Sequence, residues 1–483
     1  MRTAYTSDQI RTAERALMAT VPEGTLMRRA ATGLSVVCAG LLPGVYGSRV
    51  VLLVGSGDNG GDALYAGARL ARRGARVEAI LAGSRTHAGG LAALLDAGGR
   101  TAGTDVIEQA DLIVDGLVGI GGAGELREPY RTLALAAEGA PGLVVAVDVP
   151  SGVDASTGRV DGVAVRAQLT VTFGACKNGL LVDPGKSFCG PVELVDIGLG
   201  PYLPDPDVAS LTDDDVADLL PRPEAESDKY RRGVIGIVAG SDRFTGAAVL
   251  AVGGAIRAGA GLVRFASAET AVRQVRNRWP EAVTTVLDGP SVAEVGRVQA
   301  WVLGPGMGTG EEAVALARAV LATDEPVLVD ADGLTILAND RALLRRSAPT
   351  VLTPHAGELS RLLDVPRERV EAARMEHVRR AVAELGAIVL LKGSTTLIAE
   401  QDRPVRVNAT GTPWLATGGT GDVLSGIAGT LLSGGLSGYD AVSCAAHLHG
   451  LAAQAASTGI SGGHGPIAAM DVATMLPQVI RSL

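Results

Sequence analysis

RVVLLVGSGDNGGDALYAGARLARR, residues 49–73, decides the fold. Residues 49–54 read as a strand whose residues 50–54 are apolar without alternation, as burial on both faces demands. GSGDNGGD, residues 55–62, is a glycine turn, and residues 62–73 carry helical spacing. Strand, glycine turn and helix form the opening of a βαβ unit. The same alternation continues through strands at Val77–Leu81, Leu112–Val114, Leu143–Asp148 and Leu169–Phe173, which predicts a parallel sheet covered on both faces. Two helices, around 7–19 and 24–40, are predicted before it. Residues 200–228, GPYLPDPDVASLTDDDVADLLPRPEAESD, replace apolar runs with prolines and acids and mark a boundary, although DDDVADLL can form a short helix. A second α/β series follows at Val234–Ala239, Val302–Leu303, Val327–Val329, Val351–Leu352 and Ile388–Leu391. No internal repeat relates the halves. The expectation is an α/β protein of two three-layer domains, residues 1–215 and 216–483, the first Rossmann-like.

The 483 residues are too many for one ordinary core. With aromatics at only 3%, that core must be built from Ala, Val, Leu and Ile. A net charge of -9 without a basic stripe argues against nucleic acid. Cys38, Cys176, Cys189 and Cys444 lack metal-ligand spacing and read as buried free thiols. The opening, MRTAYTSDQIRTAERALM, has no apolar signal core. No apolar run reaches the length of about 18 residues that a membrane span needs. A cytosolic protein is expected, with no membrane partner.

Three loops of the first half follow strands. In the first, Gly55, Gly57 and Gly60 make a formal G-x-G-x-x-G, a weak signal alone. Asp58 and Asp62 in that loop would repel a pyrophosphate unless a cation intervened, which argues against an ordinary NAD-dependent dehydrogenase. DGLVGIGGAGE, residues 115–125, exposes backbone N–H groups that can cradle phosphate oxygens. In VDVPSGVDASTG, residues 147–158, Asp148 ends a strand, and Pro150 and Gly152 force a turn. Its carboxylate either caps the turn or opens into the crevice where α/β sheets bind ligands. Asn59, Asp115 and Ser151 offer oxygens from three such loops and can together hold a hard monovalent cation.

With LTVTFGACKNGLL, residues 169–181, these loops resemble the NAD(P)H-hydrate epimerase family, the YjeF N-terminal domain, over roughly residues 5–200. The resemblance implies that Asp58, Asn59, Gly60, Gly61, Asp62, Gly119, Ile120, Gly121, Gly122, Ala123, Gly124, Glu125, Tyr130 and Asp148 bind the hydrate. It implies potassium (K+) on Asn59, Asp115 and Ser151. The reaction interconverts R and S configurations at the hydrated carbon of the nicotinamide ring, and Asp148 is the acid/base candidate.

In the second half, ATGGTGDVLSGIAGTLL, residues 416–432, is the strongest single signal. Gly418, Gly419 and Gly421 precede a helical run beginning near Val423, whose free N–H groups form an anion hole. Asp422 at its mouth can take a hydroxyl proton during phosphoryl transfer. That arrangement resembles the ribokinase-like superfamily. Five further segments add detail: GSDRFTGAAVLAVGGAIRAGAGLV (240–263), VLGPGMG (302–308), VDADGLTIL (329–337), LTPHAGELSRL (352–362) and KGSTTLI (392–398). Asp330 and Asp332 are candidate magnesium-side carboxylates.

Together these segments resemble the ADP/ATP-dependent (S)-NAD(P)H-hydrate dehydratase family over roughly residues 225–480. By that resemblance Ala247, Gly306, His355 and Asp422 contact the hydrate. Lys392, Gly393, Ser394, Thr395, Thr396 and Gly421 bind the adenine nucleotide, with Mg2+ and with ADP as co-substrate. The implied enzyme is bifunctional and homo-oligomeric. It epimerises hydrated NADH or NADPH, then phosphorylates and eliminates the ring hydroxyl of the S form, releasing AMP and phosphate. The alternative is a ribokinase-like small-molecule kinase fused to a non-catalytic dinucleotide-binding module.

Overall fold

The structure, a computed structural model, describes residues 1–83, 85–459 and 462–483. Contacts divide the chain into two compact units, Thr3–Val208 and Ala209–Leu483, the latter with Met1–Arg2.

The sheet of the N-terminal unit contains β1 (Arg49–Val54), β2 (Arg76–Leu81), β3 (Arg100–Thr101), β4 (Leu112–Gly116), β5 (Leu143–Val147), β6 (Leu169–Phe173) and β7 (Val192–Val195). Their spatial order is 3-2-1-4-5-6-7, with every pairing parallel. The order reverses between β1 and β4, so a crevice opens there at the strand C-termini. The unbroken apolar run of β1 is explained by burial on two sides. Val50, Leu52 and Val54 pack into one core cluster with Ala63 and Leu64, and Val51 and Leu53 into another with Ile113 and Leu133.

The helix after β1, α1 (Asp58–Arg72), starts four residues earlier than the sequence predicts. Gly57 is its extended N-cap, so Asp58–Asp62 form the first helical turn rather than a loop. Gly60 is what allows this: a Cβ there would stand 2.3 Å from the carbonyl oxygen of Gly55. The turn can therefore press against the strand end. The two predicted N-terminal helices are Ser7–Met18 and Thr25–Leu41.

The C-terminal unit places nine strands side by side: β8 (Val234–Val238), β9 (Leu262–Ser267), β10 (Val283–Val286), β11 (Ala300–Leu303), β12 (Val327–Val329), β13 (Thr350–Leu352), β14 (Ile388–Leu391), β15 (Thr396–Ala399) and β16 (Val405–Asn408). The order is 10-9-8-11-12-13-14-15-16, parallel up to β14 and antiparallel beyond it. Here the order reverses between β8 and β11. Helix α2 (Thr245–Arg257) follows β8, α3 (Ala356–Leu363) follows β13, and α4 (Thr420–Ser433) follows the glycine stretch. α4 begins at Thr420 rather than near Val423, so Gly421 and Asp422 lie in its first turn. α2 and α4 meet backbone to backbone. A Cβ on Gly254 would lie 2.3 Å from the Val423 carbonyl oxygen, and one on Gly426 2.0 Å from that of Ala251.

DDDVADLL forms the short helix Asp213–Leu219. All four cysteines are free, Cys176 being only half-buried. Among the described residues no helix is long and apolar enough to cross a membrane.

Candidate active sites

In the N-terminal unit Asp115, one residue before the end of β4, is fully buried. Its oxygens accept from Ser151 N (2.9 Å), Ser151 Oγ (2.7 Å) and Leu117 N (3.3 Å), all neutral donors. Burial outweighs these bonds and pushes the carboxyl up to about 6. Ser151 also receives Val118 N at 2.9 Å, which ties the turn after β5 to the loop after β4. The Asn59 carboxamide lies over Gly119, where a Cβ would meet its Oδ1 at 2.9 Å, and its Nδ2 is buried without a hydrogen-bond partner. Two of the three predicted cation ligands are thus in direct contact, and the third lies over the loop they share. A buried carboxylate beside neutral oxygens fits a potassium ion. Among the described residues no three His, Cys, Asp or Glu side chains gather as a metal group, so a cation here relies on amide and hydroxyl oxygens as well.

Asp148 lies just past β5 in the left-handed region, at φ 68°. Its Oδ1 accepts from Lys177 Nζ (2.5 Å), Thr172 Oγ1 (3.1 Å) and Phe173 N (3.3 Å). Asp62, on α1, has a buried Oδ1 with no hydrogen-bond partner. Burial, then the charges of Asp148, Asp58 and Glu14, push its carboxyl well above the ordinary range. The loop 121–126, Tyr130 and residues 152–154 line a cavity of about 640 Å³, whose wall does not include Asp148 or the first turn of α1. Tyr130 Oη reaches Ser56 Oγ at 3.4 Å, and the carbonyl of Ile120 accepts from Arg11 at 3.1 Å.

Lys177 and Glu14 were not among the predicted site residues. Lys177 lies in the quoted segment 169–181, four residues beyond β6, and a lysine so soon after an apolar strand is a usable signal. Glu14 occupies an ordinary amphipathic helix, and its sequence carries no mark of the site.

In the C-terminal unit the predicted residues gather at the strand ends. Gly306, at φ 64°, lies against Ala247, where a Cβ would approach the alanine methyl to 2.8 Å. His355 caps α3: its Nδ1 accepts from Gly357 N (3.0 Å) and Glu358 N (3.2 Å), and its N–H donates to Glu358 (2.8 Å). With Nδ1 accepting, the neutral ring carries its proton on Nε2. Burial, then Lys392, lower the His355 pKa and favour that neutral ring.

Lys392 Nζ donates to Asp330 at 2.7 Å and lies 3.9 Å from Glu358, and Ser425 Oγ of α4 donates to the other oxygen of Asp330 at 2.7 Å. Burial alone would lower the Lys392 ammonium; the two carboxylates outweigh it and hold it above the ordinary lysine value. Asp330 is thus engaged by protein groups at both oxygens, and Asp332 accepts from Gly308 N at 2.9 Å. Gly421 borders Lys392, whose Nζ would stand 3.5 Å from a Cβ there. Burial, then the nearby Asp330, push Asp422 up to about 7.

Two buried residues beyond the predicted set hold this site. Arg374 Nη2 donates to the carbonyls of Leu391 (3.2 Å), Lys392 (3.1 Å) and Thr395 (3.2 Å), fixing the shape of the loop 392–395. His449 Nε2 is 2.9 Å from the Thr420 carbonyl under the start of α4, and burial lowers its pKa to about 4.

Comparison with known proteins follows the same division. The NAD(P)H-hydrate dehydratase family matches residues 235–471, and the YjeF-related protein N-terminus family matches residues 23–179. The chain is 49% identical over 444 residues to the bifunctional NAD(P)H-hydrate repair enzyme Nnr of Mycobacterium tuberculosis, covering 90% of each. It is 45% identical over 492 aligned positions to that of Mycobacterium leprae, covering 100% of each. Among solved structures, the ADP/ATP-dependent NAD(P)H-hydrate dehydratase of Bacillus subtilis, co-crystallised with ATP and Mg2+, matches with a TM-score of 0.52 at 32% identity. That match covers 57% of this chain and 99% of the Bacillus protein.

Proposed function

The chain belongs to the bifunctional NAD(P)H-hydrate repair enzymes, and from that premise we propose which of its residues carry each reaction. It repairs hydrated NADH and NADPH with an epimerase half and an ADP/ATP-dependent dehydratase half. A kinase fused to a non-catalytic module does not stand, because both halves match the repair enzymes along their length.

In our reading residues 216–483 are the dehydratase and residues 1–215 the epimerase. Asp422 takes the proton of the ring hydroxyl as that oxygen attacks the terminal phosphorus of the nucleotide. The N–H groups opening α4 and the Lys392 ammonium receive the transferring phosphoryl group. Phosphate then leaves the ring far more readily than hydroxide would. Ala247, Gly306 and His355 hold the hydrate, and Lys392, Gly393, Ser394, Thr395, Thr396 and Gly421 hold the nucleotide. Mg2+ would neutralise the phosphates it accompanies. We take ADP as the co-substrate, AMP being the by-product.

In the epimerase half, Asp148 exchanges protons with the substrate. The turn Asp58–Asp62, the loop Gly119–Glu125 and Tyr130 bind the hydrate. Potassium on Asn59, Asp115 and Ser151 would offset the negative charge gathered there. We place the enzyme in the cytosol as a homo-oligomer.

The observation that carries the reading is Asp422, its carboxyl pushed up to about 7, in the first turn of α4 beside Lys392. The test supplies racemic NADH hydrate, ADP, Mg2+ and K+ to the full chain and follows the absorbance of restored NADH. Complete recovery is expected. Recovery that stops near half removes the epimerase role, and none removes the dehydratase role.

A further inference from the structure

Lys177 is deeply buried near the epimerase site, with 1% of its side chain exposed. A lysine so buried survives only if every ammonium hydrogen finds a partner. Here all three do: Asp148 Oδ1 at 2.5 Å, the Phe173 carbonyl at 2.9 Å and Thr172 Oγ1 at 3.0 Å. No hydrogen is left to give to a substrate, so Lys177 cannot itself be the acid.

Its effect falls on Asp148. Oδ1 of that carboxylate is saturated by Lys177, Thr172 and the N–H of Phe173, whereas Oδ2 accepts no bond among the described residues. One oxygen is therefore an anchor and the other is free. The anchoring also explains how a non-glycine residue keeps φ 68° at this position, a strained conformation that persists only where its surroundings over-determine it.

The charges around the carboxylate make Lys177 harder to replace. Glu14 of the first helix, with Arg11 beside it, and Asp58 and Asp62 of α1 are the nearby charged groups. Lys177 is the buried cation among four carboxyls.

Resting on the assignment of Asp148 to proton exchange, we infer that Lys177 is the positioning residue of the epimerase: it fixes Oδ1 so that Oδ2 alone meets the ring, and it sets a positive charge directly against this carboxylate. Without the ammonium, Oδ1 loses its shortest bond and its countercharge, and the orientation of the carboxylate is lost.

The experiment uses the full chain with R-NADH hydrate, where restored NADH reports epimerisation, and with S-NADH hydrate, where it reports dehydration alone. Lys177→Met is expected to lower kcat on the R hydrate about 100-fold with KM within about 3-fold of wild type. The acidic limb of its pH profile should move up by about one unit or more. Lys177→Arg, which keeps charge but not the three-pronged geometry, should leave the limb in place and recover part of kcat. Thermal unfolding of the N-terminal unit reports whether it remains folded, and S-hydrate turnover reports the dehydratase half. An unmoved limb in Lys177→Met overturns the inference, as does wild-type kcat in Lys177→Arg. If Lys177→Met does not fold, Thr172→Val takes its place: a smaller upward limb shift supports the inference, and wild-type behaviour overturns it. Asp148→Asn separates the two claims. If it epimerises normally, the role of Asp148 fails; if it is inactive while Lys177→Met keeps the wild-type limb, only the role of Lys177 fails.

Discussion

The ammonium of Lys392 lies 2.7 Å from Oδ1 of Asp330, a contact between the ends of β14 and β12. Asp330 is almost wholly buried, and its second oxygen is held by Ser425 of α4. One carboxylate therefore aligns Lys392, the proposed nucleotide ligand, with the start of α4.

Removing that carboxylate should be felt first in nucleotide binding. Asp330→Ala frees Lys392 and takes away a charge-assisted bond worth roughly 1.5–3 kcal/mol. The KM for ADP or ATP should rise about 10-fold or more, a factor that follows from that energy. R-to-S conversion in the other half should not change. Steady-state kinetics on the S hydrate at varied nucleotide decide it, and an unchanged KM would refute the alignment role.

Asp422 carries a pH signature. A base raised to about 7 is protonated and inactive below that pH. Dehydration should therefore climb as pH rises through about 7 and level off above it. Asp422→Asn should keep nucleotide affinity and lose about 100-fold in turnover. The kcat–pH profile with S hydrate is the check; a profile flat across this range contradicts the assignment.

Asp115→Ala should weaken epimerisation strongly and leave S-hydrate dehydration intact. A second reading isolates the cation. Replacing potassium with tetramethylammonium should slow wild-type epimerisation and have no further effect on the variant. Equal slowing of both would show that potassium acts elsewhere.

Gly60→Ala tests the packing of α1. The added methyl would press on the Gly55 carbonyl at 2.3 Å, and overpacking of this kind costs about 1–3 kcal/mol. Thermal unfolding should begin earlier in the N-terminal unit while S-hydrate turnover at moderate temperature persists. A melting curve identical to wild type would mean that the turn relaxes freely.

The fold was legible where burial on both faces left runs dominated by apolar and β-branched side chains. Residues 49–54, 169–173, 327–329 and 388–391 are strands as read. Strands with polar side chains that find local partners were harder to see. β9 contains Arg264, which donates to the carbonyl of Val295 at 2.8 Å, and β10 is short and threonine-rich. Helix starts were read late at Asp58 and Thr420 because glycines there look like loop: Gly60 packs tightly in the first turn of α1, and Gly419 is the N-cap of α4 at φ 89°. At the sites, side chains directly following strands were within reach of sequence reasoning, since strand ends share an edge. Glu14, Arg374 and His449 were not, because each enters from a helix whose direction only the tertiary packing fixes.

The glycine contact between α2 and α4 constrains what descent can change. Neither Gly254 nor Gly426 can enlarge without a compensating retreat of the facing main chain, so single substitutions along that seam have nowhere to go. The head of α4, the proposed anion hole, is thus moored by main chain rather than by side chains that drift. On the proposed assignment, new substrate preferences in such a scaffold must arise in the surrounding loops, at Ala247, Gly306 or His355, while the start of α4 stays where it was inherited.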